Sequence, residues 1–313
     1  QLRPGGDLAL FSGLAKVVLE QGAVDSAFID SFMEGYEDFK SNIQNLNWAD
    51  IELGSGLSQQ EIESVGHHYI KAKDVVFGWC MGITHHAHGA ASVQHIANLA
   101  LLRGMVGRKH AGLLPIRGHS NVQGMGSMAV TPALKTAVFE RLTAEGVNVP
   151  SMKGYDTMAC IQAASNKEMD FAFCLGGNLY GSNPDSKTVA RAFSNIDTVV
   201  YLSTSLNTGH AWGTGKETII LPVLARDEER QSTTQESMFN FVRLSDGGIS
   251  RHENLRSEVE VISEIAARVL GNDDIFHWSK LENHNSIRKL IAQIIPGFES
   301  MDKIGKTKNE FHI

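Results

Sequence analysis

Apolar residues near the start of the chain recur at the spacing of a helix. Phe11, Leu14 and Val18 follow one another at intervals of three and four positions, which places them on one face of an α-helix. Asp7 precedes this stretch as a candidate N-cap, and Gly22 follows it as a candidate stop. The pattern therefore predicts an amphipathic helix between these two residues.

Several further stretches show helical spacing. Ser58 and Glu61 form a capping-box pattern, in which each side chain satisfies a free backbone N–H at a helix start. The other predicted helices cover residues 28–39, 89–102, 133–142, 156–164, 186–193 and 258–270. From Asn272 onward the pattern is weaker, and we predict less regular structure there.

Short continuous apolar runs alternate with these helices. Residues 75–80 form such a run, which predicts a strand buried on both faces of a parallel sheet. Further strands are predicted at 171–175, 199–202 and 218–224. Strands that alternate with helices favour parallel α/β layers, which bind ligands at the carboxyl ends of their strands.

Length and charge narrow the class of protein. The chain has 313 residues and a net charge of −7, and at ~150 residues per domain this length predicts about two domains. An acidic chain offers little cationic surface to a phosphate backbone, so we predict no nucleic-acid partner. No run approaches the ~20 apolar residues of a membrane span, and the first residues lack a signal-peptide core. We therefore predict a cytoplasmic protein without membrane contact and, since no initiator Met is present, a piece of a longer chain.

The cysteines and histidines do not form a recognisable metal motif. Cys80, Cys160 and Cys174 are widely spaced within apolar runs, and we predict buried, reduced thiols. The absence of a CxxC motif excludes an iron–sulfur or zinc site built from these cysteines. His85 and His86 lie near a predicted helix start, but HExxH is absent. We predict no metal ligand in this chain.

The segment 104–126 is rich in glycine and in polar side chains. Its densest part, residues 114–124, combines a guanidinium, an imidazole, a hydroxyl and two amides between glycines, which suits a planar or anionic ligand. Arg117 is its only charged residue, and its fixed fork of donors fits a small carboxylate or phosphate. A plain polar loop with a surface arginine explains the composition equally well.

Three predicted strand ends share one sequence pattern. Residues 80–85, 175–178 and 202–208 each pass from an apolar run into small or polar residues, which could hold a ribose, a base or a pyrophosphate. Ordinary turn chemistry would explain any one of them. The sequence lacks the GxGxxG fingerprint of a nicotinamide cofactor site, and hydrolase and kinase motifs are also absent.

These segments resemble the molybdopterin oxidoreductase family, in particular its formate-dehydrogenase-like alpha subunits and the YdeP-like branch. The resemblance runs from about residue 3 to residue 271. The matching stretches are 82–84, 98–104, 115–124 (PIRGHSNVQG), 175–178, 205–210, 215–222 and 235–238.

The resemblance implies an α/β fold of two Rossmann-like three-layer α/β/α portions with largely parallel sheets, as in the formate dehydrogenase and DMSO reductase domains. Residues 1–117 would be the C-terminal part of one dinucleotide-binding domain and 118–272 the second. Residues 273–313 would connect to a C-terminal β-barrel outside the chain.

In that family two such domains clamp a bis-molybdopterin guanine dinucleotide cofactor with molybdenum or tungsten. The implied activity is the two-electron oxidation of formate to carbon dioxide, with Arg117 orienting the formate. The residues that match the cofactor-facing turns are Gly82, Thr84, His85, Gly118, His119, Gln123, Gly124, Gly176, Gly177, Asn178, Ser203, Ser205 and Asn207.

Two departures favour the YdeP-like branch, whose substrate stays open. Formate dehydrogenases usually have Gln where His85 stands and an acidic residue near Ser203. The metal-ligating residue, a [4Fe–4S] region and any electron-transfer partner subunit are expected outside this chain, so we expect the chain alone to be inactive. The alternatives are another substrate or an acid-stress role on the same scaffold, or a non-catalytic nucleotide-binding module.

Overall fold

The computed structural model describes residues 1–131, 135–271 and 276–313. The chain divides into two compact units, unit 1 (Gln1–His119) and unit 2 (Ser120–Ile313). No helix in these described ranges is both long enough and apolar enough to cross a bilayer.

Unit 1 is a helical layer beside a small parallel sheet. Its elements are α1 (Asp7–Glu20), α2 (Ser26–Phe32), α3 (Tyr36–Asn45), α4 (Trp48–Ser55), α5 (Gln59–Lys71), β1 (Val76–Trp79), α6 (Met81–Thr84), α7 (Gly89–Leu102) and β2 (Gly112–Pro115). Helix α1 lies at the centre and contacts α3, α4, α5 and α7. The core residues Val18, Ile62 and Leu99 are almost fully buried. Strands β1 and β2 pair in parallel, with Val76 opposite Gly112.

The predicted start of the first helix and the predicted extent of the second helix are wrong. Asp7 is the first helical residue, and Gly6 occupies the N-cap position. A Cβ on Gly6 would lie 2.8 Å from the carbonyl oxygen of Gly54, so close packing selects glycine there. The single helix predicted at 28–39 is two helices, because Gly35 adopts a left-handed φ of +70° between them.

The prediction that the strand at 75–80 is buried on both faces is wrong. In β1 the side chain of Val76 is 55% exposed, and half-buried and exposed positions alternate along the strand. Within the described residues β1 pairs with β2 alone. Strand β2 was not predicted, because it lies in the glycine-rich segment 104–126, whose composition resembles a loop.

The described residues of unit 2 form two sheets. Its elements are α8 (Val122–Ser127), α9 (Thr136–Ala144), α10 (Thr157–Ser165), β3 (Phe171–Leu175), α11 (Leu179–Ser182), α12 (Ser186–Phe193), β4 (Thr198–Ser203), α13 (Thr208–Trp212), β5 (Glu217–Pro222), β6 (Thr233–Glu236), β7 (Phe241–Ser245), α14 (Glu258–Leu270), α15 (His284–Ile294), α16 (Met301–Thr307) and β8 (Phe311–His312). The first sheet has the order β3-β4-β5 and is parallel, and the second has the order β6-β7-β8 and is antiparallel.

The parallel sheet of unit 2 has β4 at its centre. Leu202 of β4 lies opposite Leu175 of β3 and Leu221 of β5, so the three strands end at one edge. Helices α10 and α12 pack together, and Val189 and Val199 are buried in one core cluster. The predicted alternation of helices with parallel strands is confirmed here.

The last part of the chain is more regular than its sequence pattern predicted. Helices α15 and α16 pack on each other, and Ile294, Phe298 and Ile304 share a core cluster with Val242 of β7. The segment predicted as a connector therefore belongs to unit 2 from residue 276 onward. The predicted helix at 133–142 is observed as α9 from Thr136, and residues 132–134 lie outside the described residues.

Candidate functional site: two turn clusters at parallel strand ends

The carboxyl ends of β1 and β2 bring two predicted segments together in unit 1. The backbone N–H of Ile116 donates to the carbonyl of Trp79 at 2.7 Å. A Cβ on Gly118 would lie 2.6 Å from Sδ of Met81. We call residues 80–85 and 116–119 the β1–β2 edge. It combines Gly82, Thr84 and His85 with Arg117, Gly118 and His119.

Arg117 is half-buried and only partly hydrogen-bonded. Its Nε donates to the carbonyl oxygen of His119 at 3.0 Å. Its Nη2 is buried and has no partner among the described residues. A buried donor without an acceptor costs about 1–3 kcal/mol, so an acceptor such as a ligand oxygen would stabilise this arrangement.

The other residues of the β1–β2 edge are accessible. Gly82, Thr84 and His85 are exposed, and Thr84 Oγ1 donates to the carbonyl of Met81 at 2.8 Å. A Cβ on Gly82 would meet no atom within 4 Å. This end of the sheet therefore has room for a ligand beside a guanidinium.

In the part of the chain that the structure describes, the cysteines and histidines are not grouped as metal ligands. Across residues 1–131, 135–271 and 276–313, no three His, Cys, Asp or Glu side chains are grouped to hold a metal ion. Cys80 is exposed, whereas Cys160 and Cys174 are half-buried. The prediction of three buried thiols is wrong, because the turn after β1 leaves Cys80 uncovered.

The carboxyl ends of β3 and β4 bring a second group together in unit 2. We call Gly176, Gly177, Asn178, Ser205 and Asn207 the asparagine cluster. Asn207 Nδ2 donates to the carbonyl of Gly177 at 3.0 Å, and Asn178 Nδ2 donates to Oγ1 of Thr208 at 2.8 Å. These bonds join two turns that are about 30 residues apart in sequence.

The paired glycines of this cluster leave an open surface. Gly176 and Gly177 adopt φ values of +67° and +73°, which L-residues with a side chain rarely adopt. A Cβ at either position would meet no atom within 4 Å. The backbone at this turn is therefore accessible to a ligand.

The two serines of the β4 turn differ in accessibility. Ser203 is 8% exposed, and its hydroxyl donates to the carbonyl of Ser205 at 3.0 Å. Ser205 itself is exposed. Of the two, Ser205 is the one whose side chain a ligand can reach.

His210 is a residue of this site that the sequence prediction missed. It is 8% exposed, and its Nδ1 accepts a hydrogen bond from the backbone N–H of Asn207 at 3.0 Å. Its ring lies edge-on to Tyr201, with centroids 4.9 Å apart. Its Nε2 is buried and has no partner among the described residues. The spacing Asn-x-x-His, a capping-box pattern with His in the place of Glu or Gln, is the signal that could have found it.

Gln123 and Gly124 lie in another part of unit 2. Gln123 Nε2 donates to Oδ1 of Asn240 at 3.0 Å. Asn121 Oδ1 accepts from the N–H of Glu236 at 2.9 Å, and it would contact a Cβ on Gly124. These bonds hold the segment against β6 and β7. The hydrogen bonds of the described residues do not connect it with the asparagine cluster.

A comparison against known families finds one whose model matches most of the chain. The molybdopterin oxidoreductase family model matches residues 1–268 of the chain. The chain belongs to this family. The predicted resemblance is thereby confirmed, together with an α/β fold with parallel sheets.

The chain is also similar to individual proteins. It is 30% identical over 330 residues to protein YdeP of Escherichia coli, covering 100% of this chain and 43% of that protein. It is 27% identical over 279 residues to formate dehydrogenase H of E. coli, covering 86% of this chain and 38% of that protein. The chain thus spans less than half the length of these relatives.

A solved structure shares the fold. Acetylene hydratase from Pelobacter acetylenicus superposes with a TM-score of 0.51 at 16% identity, covering 99% of this chain and 45% of that one. At this identity the likeness concerns the fold alone.

Proposed function

We propose that this chain is the central portion of a molybdenum or tungsten oxidoreductase that oxidises formate, or a similar small carboxylate, with a bis-molybdopterin guanine dinucleotide. The family membership and the 27% identity to formate dehydrogenase H support the proposal. The metal ligand, a [4Fe–4S] cluster and an electron-transfer partner subunit would belong to the rest of the protein, and the compartment would be the cytoplasm.

The residues of each strand-end cluster, taken within its own unit, support a part of this proposal. The open backbone of Gly176 and Gly177 and the exposed hydroxyl of Ser205 suit a phosphate or a base in unit 2. Gly82 and Thr84 offer a similar surface in unit 1. When bound, the metal–pterin group would take up the two electrons that leave the substrate, while the protein supplies binding and orientation.

Arg117 carries the proposal for the substrate. Its Nε is held by the carbonyl of His119, and its buried Nη2 lacks an acceptor. A carboxylate oxygen would supply that acceptor as a charge-assisted hydrogen bond. The guanidinium would thus fix the orientation of the carboxylate before its C–H bond breaks.

An Arg117→Lys substitution in the full-length protein tests this role. Lysine keeps the charge but loses the planar fork, so we expect formate kcat/KM to fall about 10- to 100-fold, as for a lost hydrogen bond to a charged group. Metal content should stay at the wild-type value. Arg191→Lys, on an exposed arginine of α12, is the matched control and should leave both quantities unchanged.

The possible outcomes distinguish a wrong role for Arg117 from a wrong substrate. Unchanged formate turnover in Arg117→Lys would remove Arg117 from the proposal. A wild-type protein that contains the metal and pterin but does not oxidise formate would contradict the proposed substrate.

A further inference from the structure

The asparagine cluster is held together by reciprocal hydrogen bonds between its two turns. Asn178 Oδ1 accepts from the N–H of Gly181, and its Nδ2 reaches across to Thr208. Asn207 Oδ1 accepts from the N–H of Gly209, and its Nδ2 reaches back to the carbonyl of Gly177. Each amide therefore uses its oxygen on its own turn and an N–H on the opposite turn.

The two turns lie so close together that a side chain in place of Gly209 would not fit between them. A Cβ on Gly209 would lie 2.7 Å from Oδ1 of Asn178 and 3.0 Å from Oδ1 of Asn207. Only a residue without a side chain fits there without moving the asparagines. The separation of the turns is thus set by contacts within the protein.

His210 holds the turn that contains Asn207 through a hydrogen bond with its backbone. Its Nδ1 accepts from the N–H of Asn207, so in the neutral ring the proton is on Nε2. Its ring is supported by Tyr201, whose hydroxyl donates to the carbonyl of Gly213 at 2.6 Å. Burial raises the pKa of that tyrosine well above its usual value, so the hydroxyl keeps its proton.

We propose that His210 is a positioning residue for the cofactor-facing turn. We also propose that the side chains of Asn178 and Asn207 join the two turns by hydrogen bonds and do not themselves bind the ligand. This inference rests on the proposed function, since it concerns the same site. The ligand would then contact the backbone of Gly176 and Gly177 and the hydroxyl of Ser205. Loss of the His210 acceptor would leave the Asn207 N–H unpaired and allow the turn to shift.

Three variants of the full-length protein test the inference. His210→Ala removes the acceptor, whereas His210→Gln replaces it with a side chain that is common at this capping position. Glu260→Ala is the matched control, because Glu260 accepts the N–H of Ser257 at 2.8 Å in the capping box of α14 in the same unit. Metal and released guanine per chain are measured during dialysis, together with thermal unfolding.

The expected result is specific to the site. His210→Ala should lose the cofactor at least about fivefold faster than wild type, as for one lost hydrogen bond. His210→Gln should restore most of the retention. Glu260→Ala should lower the unfolding temperature about as much as His210→Ala does, but it should retain the cofactor. Wild-type retention in His210→Ala, or an equal loss in Glu260→Ala, would overturn the inference.

Hydrogen exchange gives a second measurement that requires no variant. In cofactor-free wild-type protein the amide of Asn207 should be protected, because Nδ1 of His210 accepts a hydrogen bond from it. Exchange of that amide at the rate of an unstructured peptide would overturn the inference. A wild-type protein that never holds metal or guanine would contradict the proposed function, while the exchange result would still decide whether His210 holds the backbone of Asn207.

Discussion

At the scale of single residues, the environment of each thiol predicts its reactivity. Burial raises the pKa of Cys174 to about 11, so very little of it is the reactive thiolate at pH 8. Cys80 is exposed after β1. We expect iodoacetamide at pH 8 to modify Cys80 at least about tenfold faster than Cys174.

Mass spectrometry of peptides from a short labelling series measures both rates. Labelling in denaturant is the control, since the two thiols should then react alike. Faster labelling of Cys174 than of Cys80 in the folded chain would contradict the described burial.

Residues of the candidate site differ in how far their sequence context predicts their role. Gly176 and Gly177 follow an apolar run, so their place at a strand end could be predicted locally. The bond of Asn207 with Gly177 could not, because it depends on the parallel pairing of β3 with β4. His210 has a local signal in its Asn-x-x-His spacing, but the burial of its ring against Tyr201 depends on the packing of the folded chain.

At the scale of elements, the crossing of α1 and α5 depends on a glycine. A Cβ on Gly66 would lie 2.7 Å from Cγ1 and 3.0 Å from Cβ of Val17, and a β-branched side chain has few alternative rotamers. Gly66→Ala should therefore destabilise the chain by roughly 1–2 kcal/mol, since overpacking outweighs the gain in helix propensity.

Chemical denaturation of the variant and wild type measures this effect. Gly126→Ala is a matched control, because Gly126 also lies in a helix and a Cβ there would meet no atom within 4 Å. It should be neutral or slightly stabilising. Equal stability of Gly66→Ala and wild type would contradict the close packing of α1 on α5.

Elements with local signals were predicted better than those that long-range pairing defines. The capping box of Ser58 and Glu61 begins α5 as predicted, because both bonds lie within one helical turn. The exposure of β1 and the existence of β2 depend on a partner strand some 36 residues away, as in the pairing of Val76 with Gly112. Apolar pattern alone cannot show how many strands will flank a run.

At the scale of the whole molecule, the proposal can be tested by composition. The proposed bis-molybdopterin guanine dinucleotide would contain one metal atom and two guanine nucleotides, and it would carry the redox chemistry. We expect the full-length protein to contain about one molybdenum or tungsten atom, with about two guanines released by acid for each metal atom.

Elemental analysis and chromatography of the acid extract measure these amounts. The 313-residue chain purified alone is the reference, and we expect it to have no formate turnover and to hold neither metal nor guanine. Guanine without metal in the full-length protein would favour a non-catalytic nucleotide-binding module. About one guanine per metal atom would contradict the paired cofactor, and the absence of both would contradict the proposed function, because the strand-end clusters would then lack the ligand proposed for them.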